Sequence, residues 1–442
     1  MNRKIYLVQP AYRDRAGKLL KGNRIPYGSL ALPAVSAAVP PDWEKEFCLE
    51  YFEDVRWDTD ASVVGITSMG YDIIHGYEIA DEFRRQGKQV IFGGPQAWLC
   101  PAATGRHADS VVLGHPSPPE MAAILEDALH RRLAPEYRCG MSADYPFDYT
   151  AFSHARMDLM PVTTSLGCRG ACSFCCISAL YRGACRLRGI ECVLADLRSA
   201  RARSRRVVFV DANIYGRRDH LLRLCRLIRE ERLGLQWAAQ CTVDLADDAE
   251  ALDAMREAGC LLLIAGFESL AQGSLARCGK PFSAKEHAAR ARRIRDAGIA
   301  LGGYFMLGLE DDTQSSFGET YDFIRASRVS LPILNLLLPA PGTRTWEQLK
   351  AEGRLLVGSQ EEYEQAIDSM LSSTVCSRCF YVPRLMTVRE AESGFLELYR
   401  KLTTYRQIFH RSMARNPVLT GALLSLNLAM RRDYRAMARG TA

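Results

Sequence analysis

The sequence predicts an α/β protein in three parts. These are an N-terminal Rossmann-like, doubly wound parallel sheet over 1–134, a partial (β/α) barrel over 150–345, and a helical region over 346–442. Three observations carry this reading. Short apolar runs alternate with helical patterns through the first two parts. A linker with Pro, Tyr and Asp residues, PEYRCGMSADYPFDY at 135–149, separates them. Beyond the last apolar run the chain is mainly helical in pattern and rich in arginine.

In the first part, residues 5–8 read as a buried strand. VVGITS at 63–68 is a second, followed by a helical pattern over 73–85. Residues 89–92 form a third strand, closed by Gly93-Gly94-Pro95. Residues 110–113 form a fourth, with a helix over 119–131. Strands separated by helices imply a parallel sheet, whose ligands sit beyond the carboxyl ends of the strands. Those ends carry small residues: Thr67-Ser68-Met69-Gly70, Gly93-Gly94 and Gly114. In the second part, strands are expected at 161–165, 207–210, 235–240, 261–265, 300–306 and 333–338. Six βα-like units point to an open or partial barrel with its site at the strand C-termini.

The bulk numbers limit the function classes. The 442 residues are 48% hydrophobic, as in ordinary globular proteins. No run of about 18 uncharged apolar residues exists, so no membrane span is expected. The opening MNRKIYLVQP lacks the apolar core of a signal peptide, which predicts a cytoplasmic location. The net charge of +6 owes much to RSARARSRR at 198–206. No aromatic residues interleave with those arginines, so they read as a solvated helix end and nucleic acid is not an expected partner. Fifteen cysteines in a long chain without an export signal fit metal binding better than a disulfide framework.

Two cysteine groups have ligand-like spacing. The first is Gly167-Cys168-Arg-Gly-Ala-Cys172-Ser-Phe174-Cys175-Cys176. Three thiolates on a loop after a strand suit an iron–sulfur cluster and leave one iron open to chelation by an amine and a carboxylate. Phe174 is placed to cover such a cluster. A structural zinc site would need four ligands, with Cys176 as the fourth. The second group, Cys376-Ser-Arg-Cys379, is too small to hold a cluster alone. It reads as two thiols in a loop or as a redox pair.

The Cys-x3-Cys-x2-Cys loop resembles that of the radical S-adenosylmethionine superfamily. VVGITSMG, KQVIFGGPQAW and ADSVVLG resemble the cobalamin-binding-like domain that precedes the radical domain in one subgroup. FVDAN at 209–213, AGFES at 265–269, YFMLGLEDDT at 304–313 and LPAPGT at 338–343 resemble that subgroup's successive strand ends. The resemblance implies a 4Fe–4S cluster on Cys168, Cys172 and Cys175, and S-adenosylmethionine cleaved to a 5′-deoxyadenosyl radical. It implies contacts to that cofactor from Glu268, with Asn213, Gln240 and Phe174 also facing the cofactors. Each of these has an ordinary alternative in turn or helix-end chemistry. Cobalamin is left open. The Asp-x-His-x-x-Gly segment is absent, and Gly114-His115-Pro116-Ser117 stands where the subgroup has an acidic turn. His75, the nearest histidine, reads as a helix residue.

Two reactions compete for a small-molecule substrate. One is cobalamin-dependent C-methylation. The other is dehydration of a diol, as in the radical diol dehydratases of aminoglycoside antibiotic biosynthesis, whose cobalamin-like domain is unused. The altered Gly114 turn and the short C-terminal region favour the second, a lyase, with Asp211 and Tyr215 as catalytic candidates. Flavodoxin or ferredoxin is the expected electron donor, and a partner reductase would accompany dehydration. A cluster- or corrinoid-binding sensor is the non-enzyme alternative.

Overall fold

The computed structural model describes residues 2–14, 17–141, 143–368 and 375–440. Ser142 of the predicted linker therefore lies outside the described residues. The chain divides into two compact units. The first comprises Met1–Gly167, Cys185–Val208 and Gly358–Leu371, and the second the remainder.

The first unit is built on six parallel strands: β1 (Lys4–Gln9), β2 (Glu44–Leu49), β3 (Val63–Thr67), β4 (Gln89–Gly93), β5 (Ser110–Leu113) and β6 (Glu136–Arg138). Their order is β2-β1-β3-β4-β5-β6, so the order reverses between β1 and β3. The central strands are apolar on both faces because helices cover both. Tyr6, Val8, Val64, Ile66, Val90 and Phe92 share one core with Phe83 of the Ile73–Arg85 helix. The sequence pattern missed both edges of this sheet. β2 reads EKEFCL, and Glu44 and Glu46 both bond the Lys4 ammonium, at 3.0 and 2.7 Å. Such charges keep an edge strand from pairing with another chain, and they also hide its apolar alternation. β6 is only three residues long and falls in the predicted linker.

The single strand expected at 161–165 is two: β7 (Met160–Val162) and β8 (Ser165–Gly167). β8 pairs antiparallel with β9 (Cys185–Leu187), so a narrow hairpin stalk flanks the cysteine loop. Just after β9, Arg188 is only 1% exposed. Its guanidinium donates to the carbonyls of Ala143 (2.9 Å), Thr163 (3.0 Å) and Tyr145 (2.6 Å) and pairs with Asp196 at 2.6 Å. It stacks 3.8 Å from the Phe147 ring.

After β10 (Arg206–Phe209), the second unit holds four parallel strands in chain order. They are β11 (Gln236–Thr242), β12 (Cys260–Glu268), β13 (Ala300–Leu307) and β14 (Leu331–Leu336). Thr242, Gly266, Tyr304 and Ile333 form one row across them. One face packs under helices. Phe267 stacks on Phe305 with ring centres 5.4 Å apart and meets Phe323 at 5.2 Å. The other face is half-exposed and carries Gln240, Thr242, Tyr304, Met306 and Asn335. The C-terminal region is helical, with Val388–Leu402, Tyr405–Ser412 and Pro417–Gly440 as its main elements. Among the described residues no helix is long and apolar enough to cross a membrane.

Candidate active site

The cysteine loop, Cys168–Ala184, belongs to the second unit, which also holds it in shape. Gly170 lets two thiols close around it: a Cβ there would stand 3.4 Å from Cys168 Sγ and 3.7 Å from Cys172 Sγ. The Gly170 amide donates to Cys168 Sγ at 3.3 Å. The Ser173 amide donates to the Cys278 carbonyl at 3.0 Å, and the Thr345 amide to the Ser173 carbonyl at 3.0 Å. The Arg344 guanidinium donates to the Ala171 carbonyl. At Gly279, φ is +75°, and a Cβ there would press to 2.7 Å from the Ala171 carbonyl oxygen, so only glycine allows this approach. Phe174 packs against the cluster of Cys278, Leu309, Leu337, Leu349 and Tyr381. It thus roofs the loop with apolar surface.

Glu268 ends β12 in the left-handed region, at φ +61°. Its Oε1 lies 2.9 Å from Lys280 Nζ. Burial alone would lower the Lys280 pKa, but the charges of Glu268 and Cys172 outweigh it and raise it. The Lys280 charge also reaches Cys175. Burial pushes the Cys172 thiol up, and Cys175 and Cys168 add to this while Lys280 opposes it. The five side chains of Cys168, Cys172, Cys175, Glu268 and Lys280 therefore share one electrostatic neighbourhood. Lys280 was missed in the sequence because one lysine far from the cysteines has no spacing pattern to find.

Among the described residues, no three His, Cys, Asp or Glu side chains converge to hold a single metal ion. The donor set fits a 4Fe–4S cluster. It offers three thiols on one loop, a sulfur already taking a backbone N–H bond, a nearby cation and an apolar roof. Cys176 opens the Cys176–Tyr181 helix, and burial pushes its thiol up to about 11.

The remaining candidates lie at or near strand ends, several in structural roles. Asp211 is fully buried, with His220 within reach of its charge. Asn213 Oδ1 accepts from the Tyr215 and Thr242 amides, each at 3.1 Å, and its Nδ2 donates to Thr242 Oγ1 at 3.1 Å. Its amide thus ties the loop after β10 to β11. The Tyr215 hydroxyl donates to Asp248 at 2.9 Å, a carboxylate also held by Arg218 at 2.6 Å. Burial, reinforced by Asp248, pushes the Tyr215 phenol up to about 12. Gln240 lies on the half-exposed face of β11, beside Ile264 of β12. Cys376 and Cys379 are buried free thiols, each pushed up to about 12 by burial. The Cys376 amide donates to Asn335 Oδ1 at 2.7 Å.

In the first unit, the carboxyl ends of β3, β4 and β5 form a shelf of small residues. Asp72 is buried and shapes it. Its Oδ1 accepts from the Ser68 hydroxyl (2.6 Å) and the Met69 (2.9 Å) and Gly70 (3.1 Å) amides, while its Oδ2 has no partner. A Cβ on Gly94 would stand 2.6 Å from the Ser68 carbonyl oxygen, so the two strand ends are closely joined. Met69, nearly half exposed, is the large side chain at the crest.

Residues 162–324 match the family described as the radical SAM superfamily. The chain belongs to the radical SAM superfamily. Its cofactors are accordingly a 4Fe–4S cluster and S-adenosylmethionine. Within that class it is 30% identical over 372 residues to bacteriochlorophyllide d C-12(1)-methyltransferase of Chlorobaculum tepidum, covering 79% of this chain and 78% of that one. It is 25% identical over 414 residues to bacteriochlorophyllide d C-8(2)-methyltransferase of the same organism, covering 88% and 89%. Its fold is similar over the full length of both chains to the radical S-adenosylmethionine methyltransferase TsrM of Kitasatospora setae, solved with cobalamin and a 4Fe–4S cluster. The TM-score is 0.72 at 17% identity.

These similarities overturn the preference for a dehydratase-type lyase over a methyltransferase, and give no specific support to a place in antibiotic biosynthesis. The Gly114 turn that carried that preference has a local cause. A Cβ on Gly114 would stand 2.6 Å from the Cys139 carbonyl oxygen, and Ser117 forms a capping box with Glu120 for the next helix. The turn is a strand-to-helix connection shaped by these local contacts.

Proposed function

We infer that this chain is a cobalamin-dependent radical methylase acting on a carbon of a small molecule. The observation that carries this is one chain holding both the buttressed three-cysteine loop and the small-residue shelf of the N-terminal sheet. Its similarity to two methyltransferases over most of both lengths supports it. When bound, the cluster and corrinoid supply the electron and the methyl group. Residues 1–134 form the corrinoid domain, with Thr67–Gly70, Gly93–Gly94 and Gly114 as its shelf. Residues 150–345 form the radical core, and 346–442 a helical region that completes it.

The chain's own residues prepare the chemistry. Cys168, Cys172 and Cys175 hold the cluster as thiolates, and Lys280 moderates their combined negative charge. Phe174 and its apolar neighbours exclude water. Glu268, set aside from the strand by its left-handed backbone, takes the amino group or ribose hydroxyls of S-adenosylmethionine. Gln240 and Asp211 orient substrate or cofactor from the strand ends. Tyr304, Met306 and Ile333 give the half-exposed sheet face an apolar floor. That floor suits a flat, ring-containing substrate, of which the tetrapyrrole acted on by the two similar methyltransferases is an example. Flavodoxin or ferredoxin delivers the electron, in the cytoplasm.

The test is anaerobic expression with and without cobalamin supply, followed by turnover with S-adenosylmethionine deuterated in its methyl group. Near one equivalent of bound corrinoid and a deuterated methyl in the product are expected. Turnover independent of corrinoid would overturn the reading.

A further inference from the structure

The helical end of the second unit carries a feature that no methylation step uses. The Gln314–Ala326 and Tyr405–Ser412 helices, with Leu402 at the end of the Val388–Leu402 helix, border an open cavity of about 630 Å³. Arg325, Arg328, Arg406, His410 and Arg411 line it, against one carboxylate, Asp322. None of these four arginines forms an ion pair among the described residues, and Arg295 brings another positive charge near Arg328. Arg411 is 93% buried (7% exposed). Its Nε donates to Asn427 Oδ1 at 2.7 Å and its Nη1 to the Leu402 carbonyl, while its Nη2 has no partner. Gathering like charges without counter-ions is costly unless an anion joins them.

The outer surface beside this cavity is apolar. Tyr405 and Phe409, one helical turn apart, are each 63% exposed, and Met413 follows at 46%. Val418 and Leu428 of the last helix are also exposed. The same region dominates the charge of the chain. Residues 400–442 contain nine of the 57 Lys and Arg but one of the 51 Asp and Glu, so they carry +8 of a net +6. The remaining nine-tenths of the chain is slightly acidic.

We propose that this face is a peripheral docking surface for an anionic lipid bilayer. Phosphate head groups occupy the arginine-lined cavity, and Tyr405, Phe409 and Met413 enter the head-group boundary. Charge complementarity selects this occupant. Apart from Arg400 and Lys401, which pair with Glu397, the cations of this region have few acids beside them, and with the exposed aromatic side chains they make the composition of an interfacial helix. A free phosphate would use the arginines but leave the aromatic stripe without purpose. Docking of this kind would bring the enzyme to substrates dissolved in a membrane, without requiring a spanning helix.

The experiment is anaerobic co-sedimentation of the full-length, cluster-loaded protein with vesicles of phosphatidylcholine alone or mixed with phosphatidylglycerol. At least about tenfold tighter binding to the anionic vesicles is expected, lost on raising salt. Two exposed double variants separate the components: Arg406→Glu with His410→Glu, and Tyr405→Ser with Phe409→Ser. Each should lose binding while keeping the iron content and S-adenosylmethionine cleavage of the parent. Equal binding to both vesicle types, or none, would overturn the proposal. So would saturation by inorganic phosphate without vesicle binding, or self-association abolished by Phe409→Ser while vesicles stay unbound.

Discussion

Lys280 Nζ lies 2.9 Å from Glu268 Oε1, with both side chains close to nine-tenths buried beside the cysteine loop. Removing one partner leaves an uncompensated buried charge. Lys280→Met or Glu268→Gln should therefore each destabilise the second unit by about 3–5 kcal/mol. The double variant should recover part of that loss, which urea titration of the single and double variants will measure. Glu268→Gln should also weaken S-adenosylmethionine binding while the iron content stays intact. Unchanged affinity by calorimetric titration would remove Glu268 from the cofactor site.

The cysteines are expected to divide sharply. Alanine at Cys168, Cys172 or Cys175 should leave reconstituted protein with little iron and no reductive cleavage of S-adenosylmethionine. Cys176→Ala should keep both, since Cys176 lies outside the Cys-x3-Cys-x2-Cys set. Iron and sulfide analysis with electron paramagnetic resonance checks each variant. A normal cluster in Cys175→Ala would show that Cys176 is the third ligand.

Arg188 fastens the segment around 143–147 to the core of the first unit through three carbonyls, Asp196 and the Phe147 ring. Asp196→Ala should cost about 3–5 kcal/mol, by leaving the guanidinium buried and unpaired. Replacing both partners with apolar residues, Arg188→Met with Asp196→Leu, should cost less than Asp196→Ala alone. Chemical denaturation of the three proteins will rank them.

Asp148 gives the first unit a pH dependence. Burial would raise its pKa, but the Lys45 ammonium at 2.7 Å and the Ser36 and Thr150 hydroxyls outweigh burial and hold it at about 2, against an ordinary 3.8. A depressed carboxyl stabilises the fold above its unfolded pKa and loses that contribution as the pH falls toward its folded pKa. Asp148→Asn should thus cost about 1–2 kcal/mol near neutral pH, after allowance for solvent screening. The gap to the parent should close between about pH 4 and pH 2. Urea midpoints across the acid range would expose a gap that stays constant, which would contradict the assignment.

The cysteine loop was legible in the sequence because its ligands lie within eight positions of one another. The central strands of the first sheet were legible because helices bury both of their faces, leaving unbroken apolar runs such as VVGIT. β2 was not, since its charges serve the sheet edge and mimic a loop. Lys280 was not, since its partner Glu268 is brought near only by the strand-to-helix turn after β12. Gly114 misled for a related reason. Its turn departs from a family pattern at His115-Pro116-Ser117, where Ser117 joins Glu120 in capping the next helix. The hydrogen bond from Tyr215 to Asp248 was not legible either, since the two lie 33 positions apart.

The supports of the cysteine loop come late in the chain. Cys278, Gly279, Arg344 and Thr345 supply the contacts that shape residues 171–173. On a ribosome adding ~5–20 residues per second, Thr345 emerges roughly 10–30 s after Cys175. Through that interval the thiols sit on an unbraced loop, open to oxygen and stray metal ions. Cluster delivery is thereby tied to the end of synthesis, and chains halted before position 278 should leave the ribosome without iron however abundant the delivery machinery.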